Sequence, residues 1–342
     1  MKKFSAVAIA LLAATSAHAA EVFKSDANVV DLYGRVYAGH FFGTKDEVNS
    51  DGDSIKDHSA KIGANQFIRF GAKATSDIGN GLSALAQYEA QFNIGDSEKT
   101  VKDNSGNLRT RLAFAGVKAD AGTVTFGRQK GSFASIADWT DVALSDGYGA
   151  EAMGDGTDNF ATDRAASVLK YAGTFGGFGL EANYKFDGSN TEDQSDKSNA
   201  AAYGLAASYT LDMGLSLGAA YTLGQRDVGD DAKIWVIGAK FDNKALYAAI
   251  NYADGTDFLK SGTDNTGLEA AVGYNFANGV GLMAVYNKGD KDVSGTSTDT
   301  VDYFTLGTQY KFNKQLRVIG EYRFNQLDGY KDDFQLAARY DF

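Results

Sequence analysis

From about residue 30 to its last residue the chain repeats one pattern, with apolar side chains at every second position and polar or charged ones between them. GLEANYKFD (179–187) sets Leu180, Ala182, Tyr184 and Phe186 against Glu181, Asn183 and Lys185. QLRVIGEYRFN (315–325) sets Leu316, Val318, Tyr322 and Phe324 against Arg317, Glu321 and Arg323. GLSLGAAYTLG (214–224) and TGLEAAVGYNF (266–276) alternate in the same way. A period of two belongs to the β-strand, whose successive side chains point to opposite faces. The chain therefore builds strands that are each apolar on one face only.

About sixteen such segments begin near residues 30, 61, 81, 108, 122, 166, 179, 201, 214, 232, 245, 266, 279, 301, 315 and 333. Their connections alternate between two kinds. One kind is tight: 76–81, 119–122, 173–179, 212–214, 242–244, 277–279 and 313–314. The other is longer, polar and acidic: 43–60, 93–107, 129–163, 188–199, 225–231, 254–265, 288–300 and 325–332. Strict alternation of short and long connections fits an up-and-down barrel with one compact and one elaborated end. It predicts an all-β, transmembrane, antiparallel 16-stranded barrel of the outer-membrane type. An even count lets the last strand close on the first and removes the edges that lipid would not tolerate.

Composition agrees. Proline is absent, although average usage of about 5% predicts roughly 17 in a chain of this length. A chain made mainly of paired strands excludes proline, which cannot donate a ladder hydrogen bond. Cysteine is absent too, which rules out disulfides and thiolate metal sites. The first nineteen residues, MKKFSAVAIALLAATSAHA, read as a signal peptide: two lysines, a short apolar stretch and Ala-His-Ala before cleavage. The expected mature chain is 20–342, with a formal charge of −11 becoming −13 once Lys2 and Lys3 are gone. That acidity argues against a nucleic-acid partner.

The non-lipid face carries Arg35, Arg69, Arg111, Glu181, Lys185, Glu269, Arg317, Glu321 and Arg323. A dry core would leave these charges buried at prohibitive cost, so the lumen must hold water. An enzyme reading lacks a catalytic constellation. The histidines are His18, His40 and His58, and GTFGGFG lacks the GK[ST] of a phosphate loop. No cofactor is implied.

AEVFKSDANVVDLYGRVYAGHFF (20–42), TRLAFAGVK (110–118), FGR (126–128), YFTLGTQYKFNK (303–314) and the terminal Tyr340-Asp341-Phe342 together resemble the trimeric general diffusion porins of the Gram-negative outer membrane. The similarity runs through the whole mature chain, and the nearest subgroup resembles the OmpU-like major porins of the Vibrio group. The resemblance implies a passive channel for small hydrophilic solutes and ions. It also implies a homotrimer in contact with outer-membrane lipid and lipopolysaccharide, assembled by the barrel assembly machinery, with Tyr340 and Phe342 as its recognition signal. A surface adhesin or receptor acting through acidic loops is the alternative.

The resemblance further implies that the third long connection, 129–163, folds inward and narrows the pore. By length this connection is the longest of all, and structureless loops above about 12 to 15 residues are usually functional. Carried over by motif, the basic wall is Arg35, Arg69, Arg111, Arg128 and Arg164, and the facing acids are Asp141, Asp146 and Glu89. Asp146 stands in for a family acid without a direct match, in a tip, TDVALSDGYG, that lacks the family's proline. Acidic stretches such as 45–57 at the mouth predict a modest cation preference.

Overall fold

The computed structural model describes residues 20–44, 60–95, 108–149, 151–154, 156, 158–188, 200–226 and 229–342. The expected signal peptide, 1–19, and most of the connections 43–60, 93–107 and 188–199 lie outside the described residues. Strands β1 (Ala20–Lys24), β2 (Asn28–Gly43), β3 (Gly63–Gly79), β4 (Leu82–Asn93), β5 (Leu108–Ala119) and β6 (Gly122–Lys130) precede one short helix, α1 (Ala134–Ala137). After it come β7 (Arg164–Phe175), β8 (Phe178–Lys185), β9 (Ala202–Thr210), β10 (Leu215–Gly224), β11 (Ala232–Asp242) and β12 (Leu246–Thr256). Last are β13 (Thr263–Asn275), β14 (Val280–Val293), β15 (Thr296–Lys311), β16 (Leu316–Asn325) and β17 (Asp333–Asp341).

From β2 to β17 each strand pairs antiparallel with its chain neighbours, and β17 pairs with β2 from Asp333 opposite Gly43 to Asp341 opposite Arg35. Sixteen strands thus close a barrel with no free edge. The short β1 is an addition to the expected count: it folds back as a hairpin on the start of β2, Ala20 opposite Leu32, just beyond the end of β17. At the seam, Gly34 and Phe342 exchange backbone hydrogen bonds of 2.8 and 3.0 Å. A Cβ at Gly34 would stand 2.3 Å from the Phe342 ring, so the seam needs a glycine there.

The two faces separate as the alternation requires. Leu32, Val36, Phe42, Leu205, Leu217, Ile237, Leu306 and Leu336 are exposed on the outside. Aromatics gather towards the strand ends there, with Tyr274 beside Phe276 at 4.7 Å and Tyr310 beside Phe312 at 4.9 Å, as in the interfacial girdles of membrane barrels.

One expected long loop is corrected. Residues 288–300 continue β14 and β15, joined by Ser294 and Gly295 with φ of 55° and 81°. Two positive φ values in succession form the tight hairpin turn that matches strand twist, and Asp292 accepts the Gly295 N–H at 2.8 Å. The segment KGDKDVSGTSTDT has no apolar face, so the period-two signal vanishes while the ladder goes on.

Candidate constriction in the barrel lumen

Beyond Lys130 the chain is tied to the inner face of the wall. Phe133, Ile136 and Ala137 in and beside α1, with Trp139, bury themselves against Ala206, Ala220, Ile234, Val236, Ala249 and Ala253 of β9 to β12. This wall is made of small side chains where the segment approaches most closely. A Cβ at Gly218 would stand 2.4 Å from Ile136, and one at Gly238 3.2 Å from Trp139. Asn251 donates at 3.0 Å to the carbonyls of Ile136 and Ala137 and to the Thr140 hydroxyl, satisfying the end of a helix too short to satisfy itself.

Three fully buried wall carboxylates secure the rest. Glu269 accepts from the Thr140 hydroxyl at 2.5 Å and the Ala152 N–H at 2.9 Å. Glu321 accepts from the Ser145 N–H at 2.7 Å and its hydroxyl at 2.6 Å. Asp333 accepts from the Tyr148 hydroxyl and is paired with Arg323. Burial and the bond to Asp333 raise the Tyr148 phenol above its ordinary value, so it stays a neutral donor. The Tyr303 hydroxyl donates to the Gly149 carbonyl at 2.8 Å.

Thus fixed, the segment presents acids towards a row of arginines. Asp146 lies 3.7 Å from Arg35 and 3.7 Å from Arg69. Arg69 donates to Gln91 at 2.8 Å, and Arg111 donates to Glu89 at 2.6 Å. Glu89 also lies 3.9 Å from Arg69 and accepts the Tyr33 hydroxyl at 3.0 Å. These pairs are spaced on adjacent strands: Arg35 stands opposite Arg69 in the β2 to β3 ladder.

A lumen cavity of about 570 Å³ is lined by Arg35, Arg69, Arg111 and Arg164 on one side of the charge balance and by Asp141 and Asp146 on the other. Six of the eight residues read from sequence therefore line one space, and Glu89 joins them through Arg111. Arg128 does not. It turns to Asp158 in a two-pronged pair at 2.7 and 2.9 Å and to the Thr110 carbonyl at 2.9 Å. Arg164 opens β7 and pairs with Asp163 at 2.9 Å. Sequence reading missed Lys130, Asp138, Glu151, Asp163 and Arg339, which also line the cavity. Lys130 follows Arg128 at the same strand parity, and Arg339 has the parity of Asp341, so strand phase could have found both.

A closed sheet with an apolar exterior and a charged, water-accessible lumen is a transmembrane β-barrel channel. The profile of the Gram-negative porin family matches residues 25–340. The chain is 32% identical to the outer membrane porin PhoE of Salmonella typhimurium over 350 residues, covering 96% of this chain and 93% of that one. It is 34% identical to the outer membrane porin protein OmpD of Citrobacter koseri over 352 residues, covering 95% and 92%. OmpF of Salmonella typhi, solved in complex with daunomycin, superposes with a TM-score of 0.80 at 26% identity, covering 94% and 99%. The chain belongs to the Gram-negative porin family. It is an outer-membrane passive diffusion channel and not an enzyme.

Proposed function

We propose that this porin passes small hydrophilic solutes and ions through an eyelet made by segment 131–163, with a modest preference for cations. The observation that carries this reading is the near balance of charge in the lumen cavity. Arg35, Arg69, Arg111, Lys130, Arg164 and Arg339 line it together with Asp138, Asp141, Asp146, Glu151 and Asp163. Opposed rows of fixed charge create a transverse field that orders water and disfavours apolar solutes, which cannot replace the water they displace. With the eyelet nearly neutral, the excess acid elsewhere decides the sign of selectivity. Charge at the mouth concentrates cations within a Debye length of about 8 to 10 Å at ordinary salt.

The same proposal includes cleavage of the signal peptide after Ala19 and a homotrimer embedded in lipid and lipopolysaccharide. Tyr340 and Phe342, both exposed on the outer face at the end of β17, are proposed to be what the barrel assembly machinery recognises. Reversal potentials of the purified protein in a planar bilayer across a KCl gradient test the reading. A cation-selective current is expected. An anion-selective current overturns the preference, and a folded barrel that carries no current would favour the adhesin alternative.

A further inference from the structure

At the end of the barrel that carries the short turns, neighbouring strands bear a row of basic side chains of which only Arg339 reaches the cavity of the eyelet. Lys311 stands opposite Arg317 in the β15 to β16 ladder, and Arg317 stands opposite Arg339 in the next. Two residues on, Asp341 stands opposite Arg35 across the seam. All three arginines converge on that one carboxylate. Asp341 accepts from Arg35 Nε at 2.8 Å, from Arg339 Nε at 2.8 and 3.0 Å, and from Arg317 at 3.2 Å.

The charge there does not balance. One carboxylate faces three guanidinium groups, and Lys311 adds a fourth positive charge while bonding the neutral amide of Asn275 at 3.3 Å. Arg35 has a second acid, Asp146 at 3.7 Å. For Arg317 and Arg339, Asp341 is the sole ion-pair partner among the described residues. Each guanidinium brings five N–H donors, and Arg339 spends only its Nε on Asp341. Arg339 also lines the lumen cavity beside Arg35. Planar donors of this kind match the oxygens of phosphate and carboxylate two at a time.

We propose that Arg317 and Arg339, with Lys311, form an oxyanion rest site in the lumen at the short-turn side of the eyelet, with Asp341 as its resident counter-ion. Its ligands are solutes carrying a phosphate or carboxylate group. The site gives such anions a foothold inside a channel whose mouth favours cations, and it rests on the channel reading above.

Inorganic pyrophosphate is the probe, added at constant ionic strength to the full-length folded protein. Bilayer conductance is expected to fall with saturation, and calorimetric titration to show the matching binding. Replacing Arg317→Gln and Arg339→Gln together removes two charged donors and should raise the half-blocking concentration about tenfold. Asp341→Asn should lower it by releasing the arginines. Arg317→Gln alone leaves both other contacts at the seam and should show a smaller rise, which keeps the test available if the double variant does not fold. The proposal is overturned if pyrophosphate neither blocks nor binds, if the double variant responds like the parent, or if Arg111→Gln abolishes the effect while the double variant keeps it. Titration reads binding without current, so an absence of conductance would overturn the channel reading alone and leave the titration to decide this site.

Discussion

Two stretches of the same barrel wall face the same lumen and are built by opposite rules. On β2 to β5 the inward positions carry Arg35, Arg69 and Arg111, long side chains that line the lumen cavity, with the buried Glu89 paired to Arg111 behind them. On β9 to β12 they carry Ala206, Gly218, Ala220, Ile234, Val236, Gly238, Ala249 and Ala253, small or apolar side chains covered by α1 and Trp139. In the proposed reading, this contrast narrows the channel without distorting its wall. One wall is hollowed to receive the segment, and the other is furnished with charge to oppose it. Packing fixes the position of the acids, and electrostatics then uses it.

The largest effect should come from the hollowed wall. Trp139→Ala removes the ring seated over Gly238 and leaves a cavity, at a cost of about 3 kcal/mol or more. The expected outcome is a noisier and larger single-channel conductance with the barrel still folded, read by bilayer recording beside circular dichroism. If conductance is unchanged, packing against this wall does not set the position of the segment.

A smaller effect is expected from Asn251→Ala, which strips the donor from the carbonyls of Ile136 and Ala137. Leaving such groups without a partner costs about 1 to 3 kcal/mol. Hydrogen exchange of the amides around α1 should speed up while those of β9 to β12 keep their protection. On the charged wall, Arg111→Ala frees Glu89 from its 2.6 Å partner and takes a long side chain from the lumen. Conductance and cation preference should both rise modestly in bilayer recordings. The smallest change is with salt: raising KCl from 0.1 to 1 M shortens the Debye length from about 10 to 3 Å. The reversal potential, corrected for ion activity, should then move towards the unselective value.

Most of the barrel could be read from sequence because a wall with lipid on one side and water on the other forces period two on every strand. All but two of the sixteen strand starts lie within two residues of the positions read from the alternation. The exceptions are β13 and β15, whose outer ends run into polar sequence with no apolar face to mark them. The inward direction of Arg35, Arg69 and Arg111 was legible for the same reason, since arginine on an alternating strand has to point to water, whereas their assignment to a constriction came from the family resemblance.

The hollowed wall was harder to see, although it left a trace. IWVIGA (234–239) in β11 is apolar without interruption, as strands covered on both faces are. Ile234 and Val236 are fully buried inside while Ile237 is exposed outside, so something had to cover the lumen side. Arg128 stands away from the cavity for a different reason. Strand phase says which face a side chain leaves from, but it does not say that Asp158 will be waiting nearby.

In the proposed reading, segment 131–163 brings its acids against the arginine wall inside the conducting path. The double variant Asp141→Asn, Asp146→Asn keeps side-chain size and removes two negative charges from that path. Its reversal potential in a planar bilayer across a KCl gradient should shift towards anions relative to the parent. A reversal potential identical to the parent's would contradict the claim, because acids that line the eyelet cannot be neutralised without changing what it selects.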